Sequence, residues 1–237
     1  MLDSLQQAYD AVVRDWGPAL LQGAVVTLEI SLGAFALGLV IGLATALVKL
    51  GGHPLLKRLA NAYTSVCRSL PELLLILLLY YAGGDAINAL AALLGQPQVE
   101  VNGFAAAIVV LGIVQGAYAA EIMRGAVQAI PHGHIEAARA FGCGRWLTAR
   151  RVILPEMMPY ALAGLANLWL VLIKDSALIS VVGYSELLFT TKQAAGSTRQ
   201  YLLFYLTVAA IYLLMTLLSN AGFSLIERRF RRWQPAL

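Results

Sequence analysis

The chain has 237 residues, of which 59% are hydrophobic and only 13% charged, and its mean hydropathy is +0.73. Soluble domains carry about a quarter charged residues, and disorder requires low hydrophobicity with high net charge, so both classes are excluded. Two cysteines, Cys67 and Cys143, far apart in a long apolar chain, exclude a disulfide scaffold. The pI near 9.2 comes from basic residues set between apolar runs, a membrane pattern rather than a nucleic-acid one. The chain reads as an all-α membrane protein that crosses the bilayer several times.

A helical crossing needs about 20 mostly apolar residues. Five transmembrane helices are expected, at about 18–48, 56–81, 104–123, 155–173 and 201–226. Cytoplasmic loops carry the excess of Lys and Arg. Here that excess lies in the first connection (Lys49, Lys57, Arg58, Arg68), the third (Arg124, Arg139, Arg145, Arg150, Arg151) and the C-terminal tail (Arg228, Arg229, Arg231, Arg232). The N-terminal tail sets Arg14 against Asp3, Asp10 and Asp15; the second connection, around Gln96 to Glu100, has no basic residue, and the fourth has Lys192 and Arg199. The alternation predicts the N-terminus outside and the C-terminus inside, and an odd number of spans requires the same. The acidic start lacks a basic n-region and the first span is too long for a cleavable signal. The expected organisation is an external N-terminal segment at 1–17, a transmembrane domain at 18–230 with a cytoplasmic loop at about 124–155, and a cytoplasmic tail at 231–237.

The second segment is the least regular. Its clean apolar part, Leu73 to Ala82, would make a helix of about 15 Å, half a bilayer. To cross, it must include the polar stretch Asn61, Tyr63, Thr64, Ser65, Cys67, Arg68 and Ser69 ahead of Pro71. Proline disfavours a helical residue before it and removes a donor, so a break is predicted near Leu70, roughly at mid-bilayer. Discontinuous helices at that depth point to a transport site. Pro71 would be N1 of a second half-helix whose N-terminal dipole suits a carboxylate. Glu72 is either a first-turn residue complementing that dipole, paired with Arg68, or a counter-charge for a cationic substrate.

Other charges fall within or beside spans. Glu121 and Arg124 are three apart on one helical face, the spacing of a structural ion pair. Glu29 lies in the first span, facing a partner subunit or the outer interface. Lys174-Asp175-Ser176 marks either a second midplane break or the outer end of the fourth span, and periodicity favours the latter. Gly38 with Gly42, and Gly112 with Gly116, form Gly-xxx-Gly pairs that let helices approach closely, within the fold or with a second subunit. His53, His132 and His134 all fall on the inner side, the last two read as solvated loop residues.

The third connection is patterned. It reads His134-Ile135-Glu136-Ala137-Ala138-Arg139-Ala140-Phe141-Gly142, nine residues, then Val152-Ile153-Leu154-Pro155. This predicts a short helix stopped by Gly142 as C-cap, then a second basic helix ending at Pro155. By physics alone the pair could lie on the lipid surface. Glu-Ala-Ala, three residues, Gly, nine residues, an aliphatic residue, one more and Leu-Pro resembles the EAA motif of ABC importer permeases, with Val152 where Ile is usual. Arg68-Ser69-Leu70-Pro71-Glu72, Ala120-Glu121-Ile122-Met123-Arg124-Gly125 and Trp169 to Leu178 are similar to segments of the polar amino-acid permeases, the histidine/lysine/arginine/ornithine and arginine importers above all.

That resemblance implies a five-span permease of a bacterial inner membrane. It would pair with a homologous permease subunit, a cytoplasmic ATP-binding cassette ATPase dimer and a periplasmic or extracellular solute-binding protein, and act on an amino-acid substrate in the lipid bilayer without nucleic acid. Glu136, Ala137, Ala138 and Gly142 would form the coupling helix that docks into the ATPase. The chain has no Gly-x-x-x-x-Gly-Lys-Ser/Thr loop, so it carries no cofactor of its own and ATP is bound by the partner ATPase; no catalytic set or metal cluster argues for an enzyme. The implied substrate contacts are Asp175 and Glu72 for a cationic end, Ser69 and Leu70 at the half-helix N-terminus for a carboxylate, and Asn167 and Ser176 as polar neighbours. Many relatives have Gly in place of Ser69, and some an acidic residue in place of Leu168, which leaves open which permease of a pair holds the main pocket. Basic amino acids are the expected cargo. Other polar amino acids or opines, or a stand-alone secondary transporter, are the alternatives.

Overall fold

A computed structural model describes residues 10–100 and 102–231, and within them every regular element is helical. A π-helical turn at Asp10–Asp15 leads into α1, Gly17–Gly51, which carries Pro18 in its first turn, where a missing N–H breaks no bond. Then come α2 (Pro54–Ser69), α3 (Glu72–Leu93), α4 (Gly103–Gln128) and α5 (His132–Ala140). A short α6 (Arg145–Thr148) passes through a π turn at Ala149–Ile153 into α7 (Leu154–Asp175), which tightens into a 3-10 turn at Ser176–Val182. Last are α8 (Leu187–Thr198) and α9 (Tyr201–Arg231). The expected tail falls, from residue 232 on, outside the described residues, as do residues 1–9 of the N-terminal segment.

Five runs are long and apolar enough to cross a membrane: Gly17–Gly51, Glu72–Leu93, Gly103–Gln128, Arg145–Val182 and Tyr201–Arg228. The number agrees with the sequence reading, but the second run does not coincide with 56–81. The chain breaks where expected, with Leu70 extended at φ −97 and ψ 149. Pro71, however, is the N-cap of α3 rather than its first turn, and its carbonyl accepts the Leu75 N–H at 3.1 Å. Helix α3 then runs 22 residues to Leu93, about 33 Å, through Gly83, Gly84, Asp85 and Asn88. Glycine weakens a helix by about 1 kcal/mol, less than the several kcal/mol of leaving backbone groups unbonded in lipid. So α3 is long enough to cross by itself, and α2 is a separate amphipathic helix laid along α1 and α4.

Two further expectations change. The basic helix does not end at Pro155: the π turn at Ala149–Ile153 accommodates the lost donor, and helical backbone continues into α7. Nor does Lys174-Asp175-Ser176 interrupt the helix. The chain only tightens there, and stops at Gly183, φ +85.

Helices α1 and α4 run parallel and form the most extensive contact in the molecule. Both Gly-xxx-Gly pairs meet in this crossing, within one chain. A Cβ on Gly38 would lie 3.3 Å from the Gly112 carbonyl and the Gln115 Cβ, and one on Gly42 only 2.6 Å from the Ala119 Cβ. Helix α7 packs on α4, α9 on α7 and α8, and α8 on α1. Ile30, Ala34, Ile76, Leu111, Leu172 and Ile179 make one core cluster, and Leu20, Trp169, Ile173, Leu187 and Phe204 another. Helices α3 and α9 leave leucines such as Leu78, Leu90, Leu206 and Leu214 exposed, as lipid or a second membrane subunit requires.

Gly42→Val should therefore lower the thermal midpoint of the detergent-solubilised protein by overpacking worth about 1–3 kcal/mol. Gly222→Ala, where a new Cβ meets nothing within 4 Å, should leave it unchanged or raise it slightly, because alanine is the better helix former. Equal midpoints for both variants would remove the crossing as the constraint.

Candidate functional site

The break between α2 and α3 opens a cavity of about 230 Å³ against α4 and α7, below the range of about 300–1,000 Å³ for drug-sized ligand sites and so suited to a small solute. Its polar lining is Arg68, Glu72, Gln115, Tyr118, Glu121 and Asn167; Ile122, Gly164, Leu168 and Val171 complete the wall. The Arg68 guanidinium lies over the Tyr118 ring, 5.9 Å from its centroid. Gln115, 1% exposed, donates through Nε2 to Asp175 Oδ2 at 3.1 Å. Glu72 interacts with both the Asp175 carboxyl and the Tyr118 hydroxyl. A more polar vestibule of about 490 Å³ adjoins, sharing Arg68, Tyr118 and Glu121 and adding Lys49, Asn61, Thr64, Ser65 and Ser69.

Of the residues singled out from sequence, Glu72 and Asn167 line the cavity and Asp175 joins it through Gln115 and Glu72. Ser69 faces the vestibule, its hydroxyl donating to the Ser65 carbonyl at 2.6 Å. The Leu70 N–H is taken by the Val66 carbonyl at 3.3 Å. Backbone donors for an anion at this break therefore belong to the first turn of α3, Glu72 to Leu74, rather than to residues 69 and 70. Ser176 is fully buried, bonds the Ile173 carbonyl at 2.7 Å and lies beside Tyr212, away from the cavity lining. Glu29 is exposed on α1.

The expected Glu121–Arg124 pair forms, with Arg124 Nη2 2.7 Å from Glu121 Oε2. Lys49 joins it: its ammonium bonds Glu121 Oε1 and the Thr64 hydroxyl and is almost wholly buried. Sequence reasoning placed Lys49, Arg68 and Arg124 with the loop cations, yet here they are partnered on helices. The missed signal was register. In the parallel crossing Gly42 sits level with Ala119, and a helical side chain leans back toward its own N-terminus, which carries Lys49 down to the level of Glu121.

Two groups outside the cavity were also missed. Glu186 is fully buried and caps α8, accepting the Leu188 and Phe189 N–H groups at 2.9 and 2.7 Å, with Thr27 and Tyr212 hydroxyls donating at 3.3 and 3.4 Å. Burial raises its carboxyl above the ordinary range, against the pull of those four donors. His134 is exposed but not simply solvated, since its Nδ1 lies 2.9 Å from Glu156 and ties α5 to α7.

In the patterned loop, Gly142 at φ +79 ends α5 as expected. Its N–H bonds the Arg139 carbonyl at 2.9 Å and the Cys143 N–H the Ala138 carbonyl at 3.0 Å, a Schellman closure. The alanine pair divides: Ala138 is buried against the chain, while Glu136 and Ala137 are exposed. Phe141 and Trp146, 89% and 76% exposed, add apolar surface beside them.

A parallel glycine crossing, a helix broken beside a small polar cavity and a Glu-Ala-Ala helix with one face exposed are the features of a membrane transport component. The chain belongs to the family described as the binding-protein-dependent transport system inner membrane component, whose model matches residues 18–232. It is 40% identical over 218 residues to the octopine transport system permease protein of Rhizobium radiobacter, covering 92% of each chain. It is 40% identical over 211 residues to the histidine/lysine/arginine/ornithine transport system permease protein of Salmonella typhimurium, covering 89% of this chain and 92% of that one. The crystal structure of an amino acid ABC transporter with histidines superposes with a TM-score of 0.76 at 32% identity, over 91% of this chain and 95% of that one.

Removing one member of the buried triad leaves an uncompensated charge, a loss of about 3–5 kcal/mol. Glu121→Gln should therefore lower the thermal midpoint much more than Arg124→Gln, whose side chain is 35% exposed, and the double change Lys49→Met, Glu121→Leu should recover part of the loss. A double variant less stable than either single one would show that the three residues do not act as a unit.

Proposed function

We propose that this chain is the permease subunit of an ATP-driven importer for basic amino acids such as arginine, histidine, lysine and ornithine. The observation that carries it is the pair Glu72 and Asp175, two interacting carboxyl groups from different helices, the first lining the small cavity and the second bonded to its wall through Gln115. In lipid, two like charges so close repel strongly, and a cation between them relieves that repulsion. Arg68 lines the same cavity and the free N–H groups of the first turn of α3 open on the chain break beside it, where the α-carboxylate would lie. Likeness to permeases named for basic amino acids supports the same cargo. Transport of an opine is the second reading, favoured by the likeness to the octopine permease.

In this reading the N-terminus lies outside and the C-terminus inside a bacterial inner membrane, with residues 18–230 as the transport domain. The chain pairs with a homologous permease and with two ATPase subunits, and a solute-binding protein delivers substrate. Glu136, Ala137, Ala138 and Gly142 form the coupling helix, with Phe141 and Trp146 as apolar anchors for the ATPase groove. ATP closes the ATPases, the coupling helices follow, and α7 carries the movement to Asn167 and Asp175.

Vesicle uptake of labelled arginine, histidine, glutamine and octopine, with the cognate ATPase and binding protein supplied, tests this. Arginine and histidine uptake should require ATP, fall by at least about tenfold in Asp175→Asn with the complex intact, and fall in Glu136→Ala along with ATPase association. Uptake that persists without the ATPase would overturn the importer reading, and preferred uptake of octopine would replace the cargo.

A further inference from the structure

Gln115 was not among the residues singled out from the sequence, yet it is the fully buried polar residue among those that line the cavity. Its Cβ packs on the α1 backbone at Gly38, where a methyl group would come within 3.3 Å, so the crossing fixes its position. Its amide NH2 donates to Asp175 Oδ2 at 3.1 Å. A carboxylate only accepts, so this bond sets the amide orientation and turns Oε1 away from Asp175. That oxygen is buried and, among the described residues, accepts no hydrogen bond. The side chain as a whole lines the cavity with Glu72 and Asn167.

An unsatisfied acceptor held rigidly beside two carboxyl groups has one complementary ligand chemistry. A head group made only of donors, such as guanidinium, can bond Oε1 and the Asp175 carboxylate side by side. Entering end-on, a ureido or amide head has a carbonyl oxygen in place of one of those two donors, and it carries no positive charge. Resting on the basic amino-acid reading above, we propose that Gln115 is a specificity-determining residue, whose carbonyl oxygen binds the donor-only cationic head of the substrate next to Asp175 and rejects neutral isosteres.

The test uses the purified permease–ATPase complex in nanodiscs without the binding protein, so that only the membrane site selects. Binding of labelled arginine is measured in competition with citrulline, which replaces one guanidinium nitrogen by oxygen. Gln115→Leu should weaken arginine by about tenfold to a hundredfold, the loss of a hydrogen bond to a charged group, and citrulline far less, so the preference falls. Gln115→Glu should raise the arginine preference, and it carries the test alone if the leucine variant does not fold. A residue that merely packs would shift both solutes equally. An arginine-to-citrulline ratio unchanged in the folded variants overturns the proposal for Gln115 while leaving the basic cargo standing. A wild-type complex that binds citrulline as tightly as arginine, or does not bind arginine, overturns both.

Discussion

The backbone contact between α1 and α4 is the constraint on which the other elements depend. In lipid there is no hydrophobic force to press helices together, so the pair is held by close van der Waals packing and by what the packing brings into register. Gly38 and Gly42 let α4 settle against the α1 backbone. That register sets Lys49 against Glu121 and fixes Gln115 where it meets Asp175. The buried ion pair and the cavity wall are both consequences of one crossing in which a single Cβ would intrude.

The cavity itself arises where helical regularity is given up. Between Ser69 and Glu72 the chain is extended, and just after Asp175 it tightens from α to 3-10. Irregular backbone at membrane depth is tolerated only where it is buried in protein or lines a cavity. Here the first irregularity delivers Glu72 with the N–H groups of a helix start, and the second delivers Asp175. Charges and free donors that would be expensive against lipid are thus gathered on one space, which Arg68 also lines.

A continuous mechanical path joins this space to the exposed loop. Helix α5 is locked by its Schellman turn, tied to α7 by His134 and Glu156, and α6 runs through a π turn into α7 without a flexible joint. In the proposed mechanism, a displacement of the exposed face of α5 moves α7 as a body. Because α7 carries Asn167 and Asp175, the wall of the cavity moves with it.

The sequence by itself determined the class, the number of apolar spans, the break before Pro71 and the glycine stop at Gly142, because each is a local consequence of composition, periodicity or backbone chemistry. Only the tertiary structure decided that α3 crosses unaided while α2 lies beside it, that Pro155 ends nothing, that Lys49 is buried, and that Ser176 turns away while Gln115 turns in. These depend on register between helices far apart in the chain. A run of apolar residues reports that a helix is surrounded by lipid or protein, but not which face meets which partner.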